Sequence, residues 1–189
     1  MSKASAQDLK LIQSSVAMTV ALISWAMLFA TLFLGYFLVR FNSPTWPPVE
    51  IQGMPKLLPF MSTIVMLMSS VTYFVMEKKA FTNIKEAKLG WVLTVVLGIS
   101  FLALQWTLWG ALKEKGILVS NGMVPSMVYA FSWLHAAHIV LALCSLFWLG
   151  YYVFKNNAKL TQVKLINVGK FWHFLGIVWL LMYLMMFVL

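Results

Sequence analysis

The chain has 189 residues, 62% of them hydrophobic and 10% charged, with a formal net charge of +9. A water-soluble domain of this length cannot hide so much apolar surface, which excludes the soluble enzyme and binding-module classes. Cys144 is the single cysteine, so an intrachain disulfide is excluded as well.

In chain order, five apolar stretches are long enough to cross a hydrocarbon layer of about 30 Å, which needs roughly 20 residues of helix. They lie at 16–39, 58–76, 89–112, 125–154 and 169–189. Only helices satisfy their own backbone in lipid, so the predicted architecture is an all-α membrane protein, a single transmembrane domain over 1–189 built as a five-helix bundle. The first stretch is too long for a signal-peptide core and no small-residue cleavage site follows it, so it is expected to stay as a membrane helix. Residues 40–58 hold four of the six prolines together with Trp46 and predict an ordered, extended loop. Pro59 and Pro125 fall at helix starts, where proline is tolerated.

The basic residues set an orientation. Ten of the fourteen Lys and Arg residues lie in the N-terminal tail and the loops 77–88 and 155–170, against four on the other side: Arg40, Lys56, Lys113 and Lys115. This bias predicts a cytoplasmic N-terminus and a periplasmic C-terminus. The positive charge therefore reads as topology signal and anionic-lipid contact rather than as nucleic-acid binding.

Several helices carry packing faces. Phe131, His135, His138, Ala142 and Ser145 share one side of the fourth span. Gly169, His173 and Gly176 align on the fifth, where the two glycines would let a neighbouring backbone approach and accept the imidazole N–H. Ala17, Ala21 and Ser24 line the first, with Ala26 and Ala30 as a second small stripe. Cys144 reads as a small buried hydrophobe.

All three histidines lie within apolar stretches, and an ionisable group there is a functional-site candidate. His135 and His138 are three apart on one helix and cannot grip a haem from opposite faces. His173 sits about one turn from the cytoplasmic end, which sets it some 10–20 Å from His138 in depth at 1.5 Å per residue. A zinc or copper site would need further ligands, and the spans offer only Cys144 and Met. The histidines are therefore expected to be neutral, hydrogen-bonded helix-packing groups, with no metal and no catalytic residue. Proton transport would need intramembrane carboxylates, and Asp8, Glu50, Glu77, Glu86 and Glu114 all fall in loops or at span ends. Two readings of another class stay open: a small membrane haem protein, and a transporter.

The order and spacing of several segments resemble a known family. Tyr129 followed by His135-Ala-Ala-His138, then Phe171-Trp172-His173-Phe174 with Val178-Trp179 and Tyr183, is similar to the last two helices of subunit III of the haem–copper oxidases. Ser24, Phe29, Tyr36 and Arg40 resemble that family's first common helix. Trp46-Pro47-Pro48 resembles its outer loop and Ser69-Ser70 its next helix, while Gly98, Phe101 and Gln105 match its third span. The five spans resemble the shorter bacterial version rather than the seven-helix, mitochondrial type.

The resemblance implies a non-catalytic, stabilising subunit III of a bacterial aerobic terminal oxidase. The expected class is an aa3-type cytochrome c oxidase whose catalytic partner reduces oxygen to water and translocates protons. The alternatives within the family are a quinol oxidase subunit III and an accessory subunit of a nitric oxide reductase. It further implies haem and copper in partner subunits and none in this chain. The implied partners are subunit I, the other oxidase subunits, bound phospholipid and a respiratory supercomplex, in the inner membrane. Arg40, Lys155, Lys159, Lys164, Trp172 and Trp179 are the candidate lipid contacts; Trp133 and Trp148 face lipid or the partner. In the family, acidic residues stand where this chain has Trp25, Leu108 and Gly176, so no proton-supplying role carries over to those positions.

Overall fold

The computed structural model describes residues 3–48, 51, 53–155 and 162–188, with side chains in the first helix placed from Leu9 onward. Its elements are α1 (Lys3–Asn42), α2 (Leu57–Lys79), α3 (Ile84–Glu114), a short 3-10 turn (Val119–Asn121), α4 (Met123–Phe154) and α5 (Gln162–Tyr183), whose last turn widens into a π-helical one over Leu184–Val188. Five of these helices are long and apolar enough to cross a membrane, and the described residues contain no strand.

The helices outrun the apolar stretches that mark them. α1 begins at Lys3 rather than near residue 16, α3 at Ile84 rather than 89, and α5 at Gln162 rather than 169. Hydropathy marks the hydrocarbon layer, whereas the backbone ladder continues into the interface for as long as helix-forming residues permit. At 1.5 Å per residue, the 40-residue α1 is about 60 Å long, roughly twice the hydrocarbon thickness.

Local signals set the ends. Asn83, in an extended conformation, accepts the Glu86 N–H with its side-chain oxygen and starts α3. Its amide donates back to the Glu86 carboxylate at 2.6 Å, and Lys79 pairs with the same carboxylate at 3.0 Å. This closes the tight connection from α2. α3 stops at Gly116, whose φ of +73° suits glycine. The Gly116 and Ile117 N–H groups return to the Lys113 and Leu112 carbonyls, and Ile117 is buried beneath the turn. Those two bonds and the buried apolar residue define a Schellman stop.

Residues 43–48 continue from α1 as bends rather than as an extended loop. Trp46 stands edge-on to Tyr36 at 5.8 Å under the Arg40 guanidinium, and the Trp46–Pro47 peptide is cis. Glu50, on the far side of this connection, lies outside the described residues.

α2 packs on α3 and α5, α3 on α4, and α4 on α5, while α1 leans mainly on α4 and α5. Paired residues show the directions. Ser62 meets Gln105 and Thr72 meets Thr94, so α2 and α3 are antiparallel. Ser69 meets Trp172 and Thr63 meets Trp179, so α2 and α5 are antiparallel too.

Glycine lets the rings in. A Cβ added at Gly98 would stand 2.7 Å from Trp172 Cη2 and 3.0 Å from Leu143 Cδ2, and one at Gly150 would stand 2.5 Å from the Trp91 ring. The Trp172 indole is held by its own hydrogen bond and cannot swing aside. Gly98→Leu is therefore expected to lower stability by about 1–3 kcal/mol, the usual scale of overpacking. Gly110→Leu, where nothing lies within 4 Å of the new carbon, should leave it unchanged. Thermal unfolding of the detergent-purified protein compares the two, and equal losses would refute the packing argument.

Candidate functional site: a histidine and tryptophan layer

His135 lies at the centre of the bundle, fully buried. Its ring meets Phe29 of α1 at 6.3 Å, Phe101 of α3 at 5.7 Å and Trp179 of α5 at 5.5 Å. It thus touches three other helices. Contrary to the expectation of a hydrogen-bonded imidazole, neither ring nitrogen has a partner among the described residues.

His138, one turn on, bonds the Leu134 carbonyl of its own helix through Nδ1 at 2.7 Å. It reaches α1 by ring contact alone, edge-on to Trp25 at 5.3 Å and tilted against Phe29 at 5.5 Å.

His173 stands edge-on to Tyr73 of α2 at 5.6 Å. The depth separation read from the sequence is too large. Because His135 is level with Trp179, His138 falls near Gly176, and His173 lies only about one turn away in depth. The two rings stay apart because His138 faces α1 and His173 faces α2. The glycines beside His173 admit side chains rather than a backbone. Gly169 faces the Tyr73 ring, and Gly176 faces the Ser70 hydroxyl and Met66.

The tryptophans carry the cross-helix hydrogen bonds. Trp172 Nε1 donates to Ser69 Oγ at 3.1 Å and Trp179 Nε1 to Thr63 Oγ1 at 3.1 Å, both joining α5 to α2. Trp109 Nε1 donates to Ser132 Oγ at 3.0 Å and Trp91 Nε1 to the Leu146 carbonyl at 2.8 Å, both joining α3 to α4. Two tyrosines do the same: Tyr73 donates to the Leu165 carbonyl and Tyr36 to the Met185 carbonyl in the widened last turn. Trp172 and Trp179 are therefore not lipid contacts; both are buried in the bundle. Trp133 and Trp148 remain exposed. Thr63, Thr72, Thr94 and Ser132 are functional packing residues that the sequence reading missed. Their signal was a hydroxyl recurring within an apolar run, a pattern that suits interhelical bonding in lipid.

Other expected positions divide. Ser145 bonds the Leu141 carbonyl of its own helix at 3.1 Å and is not a helix-to-helix contact. Cys144 is exposed, because it falls on the outward side of α4 and not on the face of His138. Arg40 lies 5.1 Å over Trp46, Lys155 4.6 Å over Tyr151, and Lys164 4.3 Å over Tyr152 and 5.4 Å over Trp148. These cations are thus anchored on aromatic faces at the span ends. Lys159 falls outside the described residues.

At the three positions where acids were anticipated by resemblance, the surroundings are apolar or tight. Trp25 is stacked on Phe171 at 4.6 Å, Leu108 is buried, and a carbon added to Gly176 would lie 3.1 Å from Ser70 Oγ.

What the arrangement does is mechanical. Nowhere among the described residues do three His, Cys, Asp or Glu side chains converge. Three indole-to-hydroxyl bonds cross helix interfaces and help tie α2 to α5 and α3 to α4, while α1 is held by ring contacts and by bonds from Tyr36 and Ser14 to α5.

The pattern of the family "Cytochrome c oxidase subunit III" matches residues 7–189. A cytochrome c oxidase subunit 3 from Synechocystis sp. is 28% identical over 179 residues, covering 89% of this chain and 72% of that protein. The subunit 3 of a Bacillus species is 27% identical, covering 86% of this chain and 79% of its own length. A heme-copper oxidase subunit I+III from Aeropyrum pernix is 25% identical over 88% of this chain, which spans only 22% of that protein. With its five spans and a family match running over residues 7–189, the chain belongs to the cytochrome c oxidase subunit III family of the haem–copper oxidases.

Proposed function

We propose that the chain is a non-catalytic, stabilising subunit of a bacterial terminal oxidase, an aa3-type cytochrome c oxidase. In this reading it docks on a catalytic subunit I that holds haem and copper, reduces oxygen and moves protons. The observation that carries the reading is the set of indole-to-hydroxyl bonds between helices, beside which no three His, Cys, Asp or Glu side chains converge among the described residues. Such a bundle supplies shape and rigidity to a partner rather than chemistry of its own. A relative in which subunits I and III are one polypeptide supports the pairing.

The reading places the protein in the inner membrane with the α2–α3 turn cytoplasmic, as the lysine distribution favours. It also includes bound phospholipid and membership of a respiratory supercomplex. A groove of about 410 Å³ between α1, α2 and α5 supports the lipid. Its walls carry Leu22, Phe174 and Ile177 for an acyl chain, and Glu77, Lys170 and His173 for a headgroup.

Purification of the native membrane complex tests the assignment. The chain should co-purify with a haem- and copper-containing subunit and with phospholipid that detergent washing does not remove. A chain that purifies free of any such subunit would contradict the function, and a delipidated but intact complex would contradict the lipid site.

His173→Ala removes the ring packed on Tyr73, whose hydroxyl anchors the start of α5. It should weaken assembly by about 1 kcal/mol, on the scale of one aromatic contact, and leave the haem absorption of the assembled enzyme unchanged. Shifted haem bands with full assembly would count against a packing role.

A further inference from the structure

One part of the layer is not closed. Both ring nitrogens of His135 and Oε1 of Gln105 are buried without a hydrogen-bond partner among the described residues. A neutral imidazole carries one N–H donor and one lone pair, and an amide oxygen accepts. Leaving all of them unmet inside hydrocarbon is costly, which points to a small polar occupant.

The two side chains lie at one level of the bundle. Trp109 pairs with Ser132 on one side of them, and Gly98 approaches Leu143 on the other. Within that antiparallel register, Gln105 and His135 stand opposite each other on α3 and α4. Trp179, 5.5 Å from the His135 ring, is tied to Thr63, while Gln105 is tied to the adjacent Ser62. All of them therefore share one depth.

The amide orientation follows from its other bond. Ser62 Oγ gives its proton to the Leu58 carbonyl at 2.9 Å. It can only accept from Gln105, so Nε2 donates there at 3.4 Å and Oε1 is left for another donor.

Phe29, Phe101 and Trp179 wall the imidazole with rings and offer it no hydrogen-bonding atom. An apolar occupant would leave the polar atoms unmet. A cation or anion would find no counter-charge at this depth, since the described acidic and basic side chains lie toward helix ends or in connections. Water is both donor and acceptor and is held by two to four such partners.

We propose that an internal water binds between His135 and Gln105 near the middle of the membrane, accepting from the imidazole N–H and donating to Gln105 Oε1. It joins α3 to α4 where no direct bond does. The decisive experiment is a density map of the native protein at a resolution that shows ordered water. The expected result is one peak within hydrogen-bond reach of a His135 ring nitrogen and of Gln105 Oε1. Continuous side-chain packing there, or a direct His135–Gln105 bond, would overturn the proposal.

Thermal unfolding of His135→Phe gives a second readout. Loss of the bridged water should lower the midpoint by roughly 2–4 °C. A partnerless imidazole exchanged for a ring of similar shape would instead leave it unchanged or raise it, which also overturns the proposal. Where the variant does not accumulate, the map of the unaltered protein decides.

Discussion

Hydrocarbon offers no hydrogen-bonding solvent, so every polar atom placed there must find its partner within the protein. In this bundle many hydroxyls bond carbonyls of their own helix, and several of the ties between helices are indole N–H groups aimed at hydroxyls on a facing helix. Trp172 on Ser69 and Trp179 on Thr63 fasten α5 to α2, and Trp109 on Ser132 fastens α3 to α4. A tryptophan brings a large apolar ring and a single donor, so one residue fills space and sets register at once. The glycines follow from that choice. Gly98 and Gly150 have no side chain because the Trp172 and Trp91 rings occupy the space where one would stand.

The same arrangement leaves α1 apart. Tyr36 and Ser14 bond it to α5, and otherwise Trp25, Phe29 and Phe33 hold it by ring contact with α4 and α5. Its outward side, from Ile12 through Val16, Val20 and Met27 to Leu34, is apolar and exposed. A bundle whose first helix presents an apolar outward flank suits a protein covered by lipid and by a neighbouring membrane chain. This agrees with membership of a family in which subunits I and III also occur as one polypeptide.

The sequence announced the five spans clearly, because twenty apolar residues in a row have little other physical meaning. It did not announce their ends: α1 and α5 carry polar turns that remain helical outside the hydrocarbon. The inward faces were harder still. In a soluble helix the polar side marks what is exposed, whereas in lipid both sides are apolar and the periodic signal fades. Apolar context alone therefore makes Trp172 and Trp179 candidate lipid contacts and Cys144 a buried hydrophobe, whereas the two rings are buried and the cysteine is exposed. The partnerless state of His135 was not legible either, because it depends on how α3 and α4 are registered. Ser69 and Thr63 of α2 would have been found by asking where the two buried indole protons of Trp172 and Trp179 could go.

The central claim is that tryptophan-to-hydroxyl bonds, and not apolar contact alone, hold the helices in register. A double-mutant cycle on Trp172→Phe and Ser69→Ala, read by thermal unfolding of the purified protein, isolates that term. The account predicts that the double variant loses less than the sum of the two single losses, with a coupling of about 0.6 kcal/mol, the average for interhelical hydrogen bonds in lipid, and no more than about 1.7 kcal/mol. Strictly additive losses would contradict it.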